Sequence, residues 1–502
     1  MYNYSYTETL EARVSETCFL ILDQGGQSSR ALVINAEGKT LACESMVVAT
    51  QTPAVDEVEQ DPEELVASLQ QVAQAAVSQL SNEQRQQLVS AGLVTQRSSI
   101  VCWHSERLEA ITPVISWQDR RAHAWLEQQK IDPHWFRHHT GLYPNAHYGA
   151  SKIHWCLNNH PDVIKAFMEG TLSCGPLAGY LAARLTNSSE VKVDPANAQR
   201  TGLYNIDRDE WDADLLQLFD IPPSLLPQLA ETCNGYGSLR IDDLELPLHL
   251  LSGDQSAAIY AHGQPDEGTV YINAGTGAFI TALWPLESYP EQLLKSIVYS
   301  GAQSQYVIEA TVNGAGSALN WAQKLLQLTN IDGLDEWASQ IEGDEPPLFF
   351  NTVGGLGSPY WRANLLPTFI SETSADQTNE KLQLVAVLES IVFLLQSNLI
   401  VMQSHGFQLQ RLVISGGLSQ RASFCQKLAD LTNISVWRPN EVEASARGAA
   451  YLLAQDYSVK QDVPAIAWDE LAGVEFMPGS AEQDSLNQRF GRWRRALQER
   501  LA

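Results

Sequence analysis

Residues Phe19 to Ile34 read FLILDQGGQSSRALVI, an apolar run that ends on Asp23, a Gly/Ser turn, and a second apolar run. Apolar runs this short, bounded by turn residues, fit buried strands better than helices. Cys18 to Leu22 and Ala31 to Asn35 therefore flank a turn. Ala36-Glu37-Gly38-Lys39 makes a second turn into Thr40 to Val48, which predicts a three-strand meander. The same phrase returns far along the chain. Gly268 to Ile272 is an apolar run, Asn273-Ala274-Gly275-Thr276-Gly277 a tight polar turn, and Ala278 to Leu283 a returning strand. Helical patterns follow from Ser317 to Leu328 and near 382–402. Strand, glycine turn, strand and helix thus occur once in each half, which hints at an internal duplication.

Between the first strands and the next apolar strand, Leu88 to Thr95, a helix is announced by Asp61 as N-cap, Pro62 at the first helical position and Glu64 three residues after the cap. Leu65, Leu69, Val72, Ala76 and Leu80 form its apolar stripe. A new strand in ELPLHLLSGDQSAA places a domain boundary near residue 250, giving domains over 1–250 and 251–455. The polar stretch 456–502 ends in an Arg-rich helix, Leu486 to Leu501, expected to pack on the outside.

At 502 residues the chain has ample length for a hydrophobic core. Its 32 Lys and Arg against 59 Asp and Glu give a formal net charge of −27, which repels nucleic acid and anionic membrane surfaces. Any nucleotide site must then rest on local N–H groups and a cation rather than on a basic patch. Seven dispersed cysteines, with no CxxC, fit buried thiols in a reducing cytoplasm. The N-terminal 17 residues carry acids and no basic stretch before an apolar run, unlike a secretory leader. Leu382 to Met402 is long enough to span a membrane, but Gln383, Glu389, Gln396 and Asn398 mark it as a buried core helix, so no membrane insertion is expected.

Three glycine turns follow strand-like runs: DQGGQSS at 23–29, NAGTG at 273–277 and LVISGGLSQR at 412–421. Successive N–H groups in such turns form anion nests, although none matches a P-loop or GxGxxG spacing. Each alone is an ordinary tight turn; together, spread over both halves, they point to phosphate. Asp23 and Asp254 each close a strand, and phosphoryl transfer to an alcohol needs a base on the hydroxyl and a metal on the phosphates. Arg97, Trp117, His147 and Tyr148 are candidates for a small polar pocket.

With these pieces in order, the chain resembles the FGGY carbohydrate kinases, and among them the glycerol kinases, from about Phe19 to Leu453. The resemblance rests on LDQGGQSSRALV, SWQDRR (116–121), GLY (141–143), Lys152-x-x-Trp155, NAQRTGLYNI (197–206), SGDQSAA (252–258), NAGTGAF, GAGSALNW (314–321), GGLGSPYW (354–361), ISGGLSQ and SARGAAYL (445–452). It implies an α/β fold with two actin-like (ribonuclease H-like) domains around a central cleft. It further implies ATP and Mg²⁺, with Asp254 as general base and Asp23 on the metal. Gly25, Gly26, Gln27, Ser28 and Arg30 fall in the first phosphate turn. Gly275 and Thr276 fall at the phosphates, Gly316 and Gly417 along the nucleotide, and Leu418 and Arg421 on the adenine side. Arg97, Trp117, His147, Asp254, Gln255 and Phe279 fall at acceptor-pocket positions.

The chain departs from glycerol kinases at named places. Their first turn reads Gln-Gly-Thr-Thr, here Gln24-Gly25-Gly26-Gln27; their pocket carries Arg-Glu, here Arg97-Ser98. Arg362 and Arg421 replace an Asp and an Asn. The expected activity is phosphorylation of a primary hydroxyl of glycerol or a related polyol or sugar. A pentulose kinase, and a non-catalytic sugar- or nucleotide-binding regulator, are the alternatives. The expected setting is cytoplasmic, with a homodimer or homotetramer as the candidate assembly and without nucleic acid.

Overall fold

The computed structural model describes residues 16–339, 345–363, 365–370, 379–440, 443–463, 467–469, 471–479 and 481–501. The N-terminal stretch read above for a leader lies, through residue 15, outside them. The chain packs into two units: the first holds 1–265, 296–306 and 443–470, and the second holds 266–295, 307–442 and 471–502.

In the first unit, β1 (Cys18–Gln24), β2 (Ser28–Asn35) and β3 (Thr40–Val47) form the expected antiparallel meander. The sheet continues through β4 (Leu88–Thr95), β5 (Ser238–Ile241) and β6 (Leu244–Gly253) in the order β5-β6-β4-β1-β2-β3. β1, β4 and β6 run parallel, and their C-terminal ends are level. Asp23 and Ser252 both stand beside Val94, and Gln24 and Gly253 both stand beside Thr95. Buried on both faces, these central strands are almost wholly apolar until they end, and there the polar residues begin.

The helix Pro62–Ser78 covers one face. Its Asp61 cap accepts from the Glu63 N–H at 2.8 Å and also from Glu64. Glu64 does not close a capping box; its carboxylate accepts from the Ala49 N–H at 3.0 Å and ties the helix to the loop after β3. On the other side the helix Ala444–Gln461 packs against β1, β4 and the short helix Asp254–Ala258. Gly448 makes that approach possible, since a Cβ there would sit 1.9 Å from the Ala257 carbonyl oxygen. The buried Arg447 guanidinium holds the same helix in place by donating to the carbonyls of Ala261 (2.7 Å), Asp469 (2.6 Å) and Gly38, and it stacks over Trp468.

The strand expected to open a second domain near residue 250 is β6, and it belongs to the first sheet because Leu251 pairs beside Leu93. Asp254 therefore lies in the first unit, where 251–265 and the later segment 443–470 also pack. A linear cut of the chain misses this.

The second unit repeats the opening phrase. β7 (Thr269–Ala274) and β8 (Ala278–Leu283) form an antiparallel hairpin, with β9 (Gln305–Val312) beside β8. β10 (Arg411–Ser415) runs parallel to β7, followed outward by β11 (Val436–Pro439) and β12 (Gly473–Phe476). β7 with β8 and β10 thus mirrors β1 with β2 and β4. The long helix Glu380–Ser404 fills this unit's core. It is the one helix among the described residues long and apolar enough to cross a membrane, and 83% of its apolar window is buried in protein. Its Glu389, 1% exposed, explains why: Lys427 lies 3.3 Å from one oxygen, and Arg489 Nε donates to the other at 3.0 Å.

Arg489 comes from the C-terminal helix Gln483–Leu501, which corrects the expectation that the tail packs outside. Leu486, Phe490, Trp493 and Leu497 are buried in the second unit's core, and Trp493 Nε1 donates to the Phe349 carbonyl at 2.9 Å. Charged residues dominate the helix by composition, yet its buried stripe is apolar. No disulfide links the seven cysteines; six are buried and Cys43 is exposed.

Gly448→Ala is expected to destabilise the protein by about 3 kcal/mol or more, because the clash is with backbone rather than a movable side chain. Thermal or denaturant unfolding checks this; an unchanged midpoint would mean the two helices do not meet at Gly448.

Candidate active site

The turn after β1 is held from beneath by three buried glutamines. Gln24 Nε2 donates to the Gly25 carbonyl at 2.6 Å, and Gln60 Nε2 donates to the Gly26 carbonyl at 3.1 Å. Gln96 Nε2 donates to both of their side-chain oxygens, at 3.0 and 2.7 Å. The three are 0%, 1% and 3% exposed. The backbone adds Gly25 N–H to the Ser28 carbonyl (2.9 Å) and Gln96 N–H to the Gln24 carbonyl (2.8 Å). The result is a hydrogen-bonded shelf rather than a loose hairpin tip.

Asp23 stands at the edge of this shelf, 5% exposed and paired across the hairpin with Arg30. Burial pushes its carboxyl up to about 7, and the neighbouring Asp254 and Glu443 carboxylates push the same way, with Arg30 offsetting in part. Arg30 is shared, 3.9 Å from Asp23 and 3.2 Å from Glu443. Asp254 opens its short helix directly after β6, with its Oδ1 accepting from the Gln255 N–H at 2.7 Å. The Arg97 guanidinium lies 3.9 Å from that oxygen and donates to Ser256 Oγ at 3.4 Å. Gly253 leaves room for it, since a Cβ there would fall 2.5 Å from Arg97 Cδ.

Beyond Arg97 the chain turns through Ser98, which holds a left-handed φ of 68°. Lys152, fully buried, donates to the carbonyls of Ser98 (3.1 Å), Ser116 (2.7 Å) and His147 (2.7 Å). One ammonium therefore gathers the loops that carry Arg97, Trp117 and His147; burial lowers its pKa to about 7. His147 Nδ1–H donates to the Trp117 carbonyl at 2.8 Å, and burial lowers that imidazole to about 4, so it stays neutral with Nε2 as an acceptor. The SWQDRR motif turns out to be a brace: Arg121 is paired with Asp119 and Glu59 at 2.7 Å each and lies over the Trp155 ring of the Lys152-x-x-Trp155 motif.

In the second unit the NAGTG turn is closed by the Gly275 N–H to the Gly277 carbonyl at 2.8 Å. The helix Gly316–Leu325 starts against it: the N–H groups of Ala315 and Ser317 donate to the Thr276 carbonyl, and Gly316 N–H to the Gly275 carbonyl. A Cβ on Gly316 would lie 2.8 Å from the Gly275 oxygen. Gly416, at φ 87°, passes as closely to the Ala274 carbonyl, while Gly417 faces open space. Thr276 is exposed at the tip. Arg421 reaches Asp335 at 3.6 Å, and Phe279 is half-buried on β8. Leu418 is 6% exposed and part of the core.

Residues 18–246 match the N-terminal domain, and residues 270–456 the C-terminal domain, of the FGGY family of carbohydrate kinases. The chain belongs to this family. It is similar to a glycerol kinase of Aromatoleum aromaticum, 30% identical over 489 residues, covering 95% of this chain and 98% of that protein. It is equally similar to one of Petrotoga mobilis, 30% identical over 496 residues with 96% and 98% covered. The fold is that of Plasmodium falciparum glycerol kinase solved with ADP (TM-score 0.83, 22% identity, 96% of this chain and 98% of that one). Lactobacillus acidophilus xylulose kinase shares it (TM-score 0.82, 19% identity, 96% and 97%). The protein is thus a two-domain carbohydrate kinase, a phosphotransferase similar to glycerol kinases.

Within the first unit the structure gathers Asp23, Arg30, Arg97 and Asp254, with Gln255 following Asp254, and brings Trp117 against His147. The second unit gathers Gly275, Thr276 and Gly316, with Gly417 and Leu418 following Gly416. Sequence reading missed Glu443, Gln60, Gln96 and the role of Lys152. Glu443 was findable, two residues before SARGAAYL; the glutamines carry no sequence signal.

The folded state keeps the Asp23 proton up to about pH 7, whereas the unfolded chain loses it near 3.8. This group's contribution is therefore full at low pH and falls as pH rises through 7. Asp23→Asn should remove that slope, gaining roughly 2–4 kcal/mol relative to wild type at pH 8 over pH 4 in the metal-free protein. Asp194 is pushed up similarly but is common to both proteins. Denaturant unfolding across pH reads the difference; parallel curves would contradict the assignment.

Proposed function

We propose that this kinase transfers the γ-phosphoryl group of ATP to a primary hydroxyl of glycerol or a related small polyol or sugar, with Asp254 as general base. The carrying observation is Asp254 itself. It is held at a helix start after a central strand, with Arg97 3.9 Å away, in the same unit as the buried Asp23. The Asp254 carboxylate would take the hydroxyl proton, with Arg97 beside it. The hydroxyl oxygen then bonds to the γ-phosphorus as the β–γ bridging bond breaks, and ADP leaves.

Mg²⁺ fits the donor set. Asp23 and Glu443 share Arg30 while Asp254 lies by Arg97, and a buried Asp23 that both neighbouring acids disfavour in its charged form suits a hard divalent cation. Asp23 would hold it, and when bound it would neutralise charge on the transferring phosphates. Gly25, Gly26, Gln27, Ser28 and Arg30 form the near side of this phosphate region. Gly275, Thr276, Gly316, Gly417, Leu418 and Arg421 would serve the nucleotide, and the two glycine turns of the second unit support that by their bare backbone. Trp117, His147, Gln255 and Phe279 would bound the acceptor. Pentulose as acceptor is a second reading, favoured by Ser98: it puts a short hydroxyl where the resembling kinases have a carboxylate for substrate hydroxyls. The buried, reduced thiols support a cytoplasmic setting.

A panel of polyols and ketoses with Mg-ATP and ADP detection tests the proposal. Wild type should turn over at least one acceptor, and Asp254→Asn should lower kcat on it by about 10²–10⁴. Equal transfer by both proteins would remove Asp254 from the base role, and no transfer by wild type to any acceptor would leave a binding protein.

A further inference from the structure

His147 is pinned so that one of its polar atoms is left to meet a ligand. Its backbone N–H donates to Asn145 Oδ1 at 3.0 Å, and its carbonyl accepts from the buried Lys152 ammonium at 2.7 Å. In the ring, Nδ1 lies 2.8 Å from the Trp117 carbonyl, which only accepts, so Nδ1 must carry the proton. Burial, helped by the Lys152 and Arg120 charges, lowers the imidazole to about 4 against the opposing pull of the Trp117 carbonyl and Asp119. Nε2 therefore carries no proton at neutral pH and can only accept. The residue is half-buried, and Nε2 keeps accessible surface with no partner among the described residues.

Trp117 stands beside it, with ring centroids 6.3 Å apart and 45° between the planes. The indole is 37% exposed, although both of its backbone groups are held. Its N–H donates to Ser99 Oγ at 2.9 Å, and its carbonyl is the one that His147 engages. A fixed apolar wall and a fixed acceptor thus adjoin at an open surface of the first unit. The pair suits a carbon that lays its C–H groups along the wall and donates its O–H to the nitrogen. A carbonyl or carboxylate oxygen only accepts, so it meets the Nε2 lone pair as a like dipole and makes no bond.

We propose that His147 is a specificity-determining residue: its Nε2 accepts a hydrogen bond from one acceptor hydroxyl alongside Trp117 and rejects a carbonyl or carboxylate at that carbon. This rests on the kinase reading and narrows it. The acceptors are polyols, and ketoses only where the carbonyl lies on another carbon. His147 binds substrate and moves no proton.

The test uses the full chain with Mg-ATP and the panel acceptor that wild type turns over best. That acceptor is compared with its single-deoxy and single-keto analogues at the non-reacting carbons. In wild type, one deoxy analogue should lose about tenfold or more in kcat/KM, and the keto analogue at the same carbon should lose at least as much. His147→Asn keeps an amide N–H for the Trp117 carbonyl and has nothing in the place of Nε2. It should raise KM for the parent acceptor about tenfold, leave ATP KM within about twofold, and abolish the penalty at that one carbon while penalties elsewhere persist. His147→Gln, whose amide turns to donate as readily as to accept, should let the keto analogue back in. A role in structure alone would depress every analogue equally, and that result overturns the assignment. Wild type that takes the keto analogue as well as the parent at every carbon overturns it without any variant. If wild type turns over no acceptor, the kinase reading fails by itself, and calorimetric binding of the same polyols decides the role of His147. Binding lost in His147→Asn upholds it, and absent or unaltered binding overturns it.

Discussion

A buried carboxyl, Asp23, sits at the end of a sheet with two further acids in its field, and this crowding organises the first unit. Asp23 and Asp254 flank the same central strand because β1, β4 and β6 are parallel and level at their C-terminal ends. Two strand spacings of roughly 5 Å bring the two acids within each other's field. Glu443 joins from the start of a helix more than four hundred positions along the chain, and Arg30 answers both it and Asp23. Burial first, and then the neighbouring Asp254 and Glu443 carboxylates, push the Asp23 carboxyl up to about 7. A cation resolves the conflict, and the proposed chemistry needs one in that place.

The rest of the unit holds these groups still. Lys152 ties three pocket loops through their carbonyls, and the glutamine shelf fixes the first turn. Glycines act where backbones must touch: Gly448 under the Asp254 helix and Gly253 under Arg97. The second unit uses the same device at Gly316 and Gly416, where a side chain would strike the turn carrying Thr276. Both units begin from one strand–turn–strand phrase. The first ends it with an acid, Asp23, and the second with the glycine turn that carries Thr276.

Much of this was legible in residues. The meander, Leu88–Thr95, the β7–β8 hairpin and the buried long helix follow from short apolar runs, turn residues and scattered polar positions. The motif series identified the family, and it picked out Asp23, Asp254 and Arg97. What stayed hidden is what pairing decides. Nothing in ELPLHLLSGD says that it inserts beside Leu88–Thr95, so its packing, which keeps 251–265 with the first unit, was not legible. The Arg-rich tail looked superficial because charge dominates its composition, while its stripe of Leu486, Phe490, Trp493 and Leu497 goes to the core. Gln60 and Gln96 look like ordinary polar residues until the fold stacks them under Gly25 and Gly26.

The central claim is that the Asp23 cluster is built for a divalent cation and surrenders a proton to it. Calorimetry of Mg-ADP binding at pH 7, repeated in buffers of different ionisation enthalpy, measures that proton directly. The account predicts release of about half a proton per site in wild type and almost none in Asp23→Asn. Proton-silent binding in wild type, or the same release in both proteins, would contradict it.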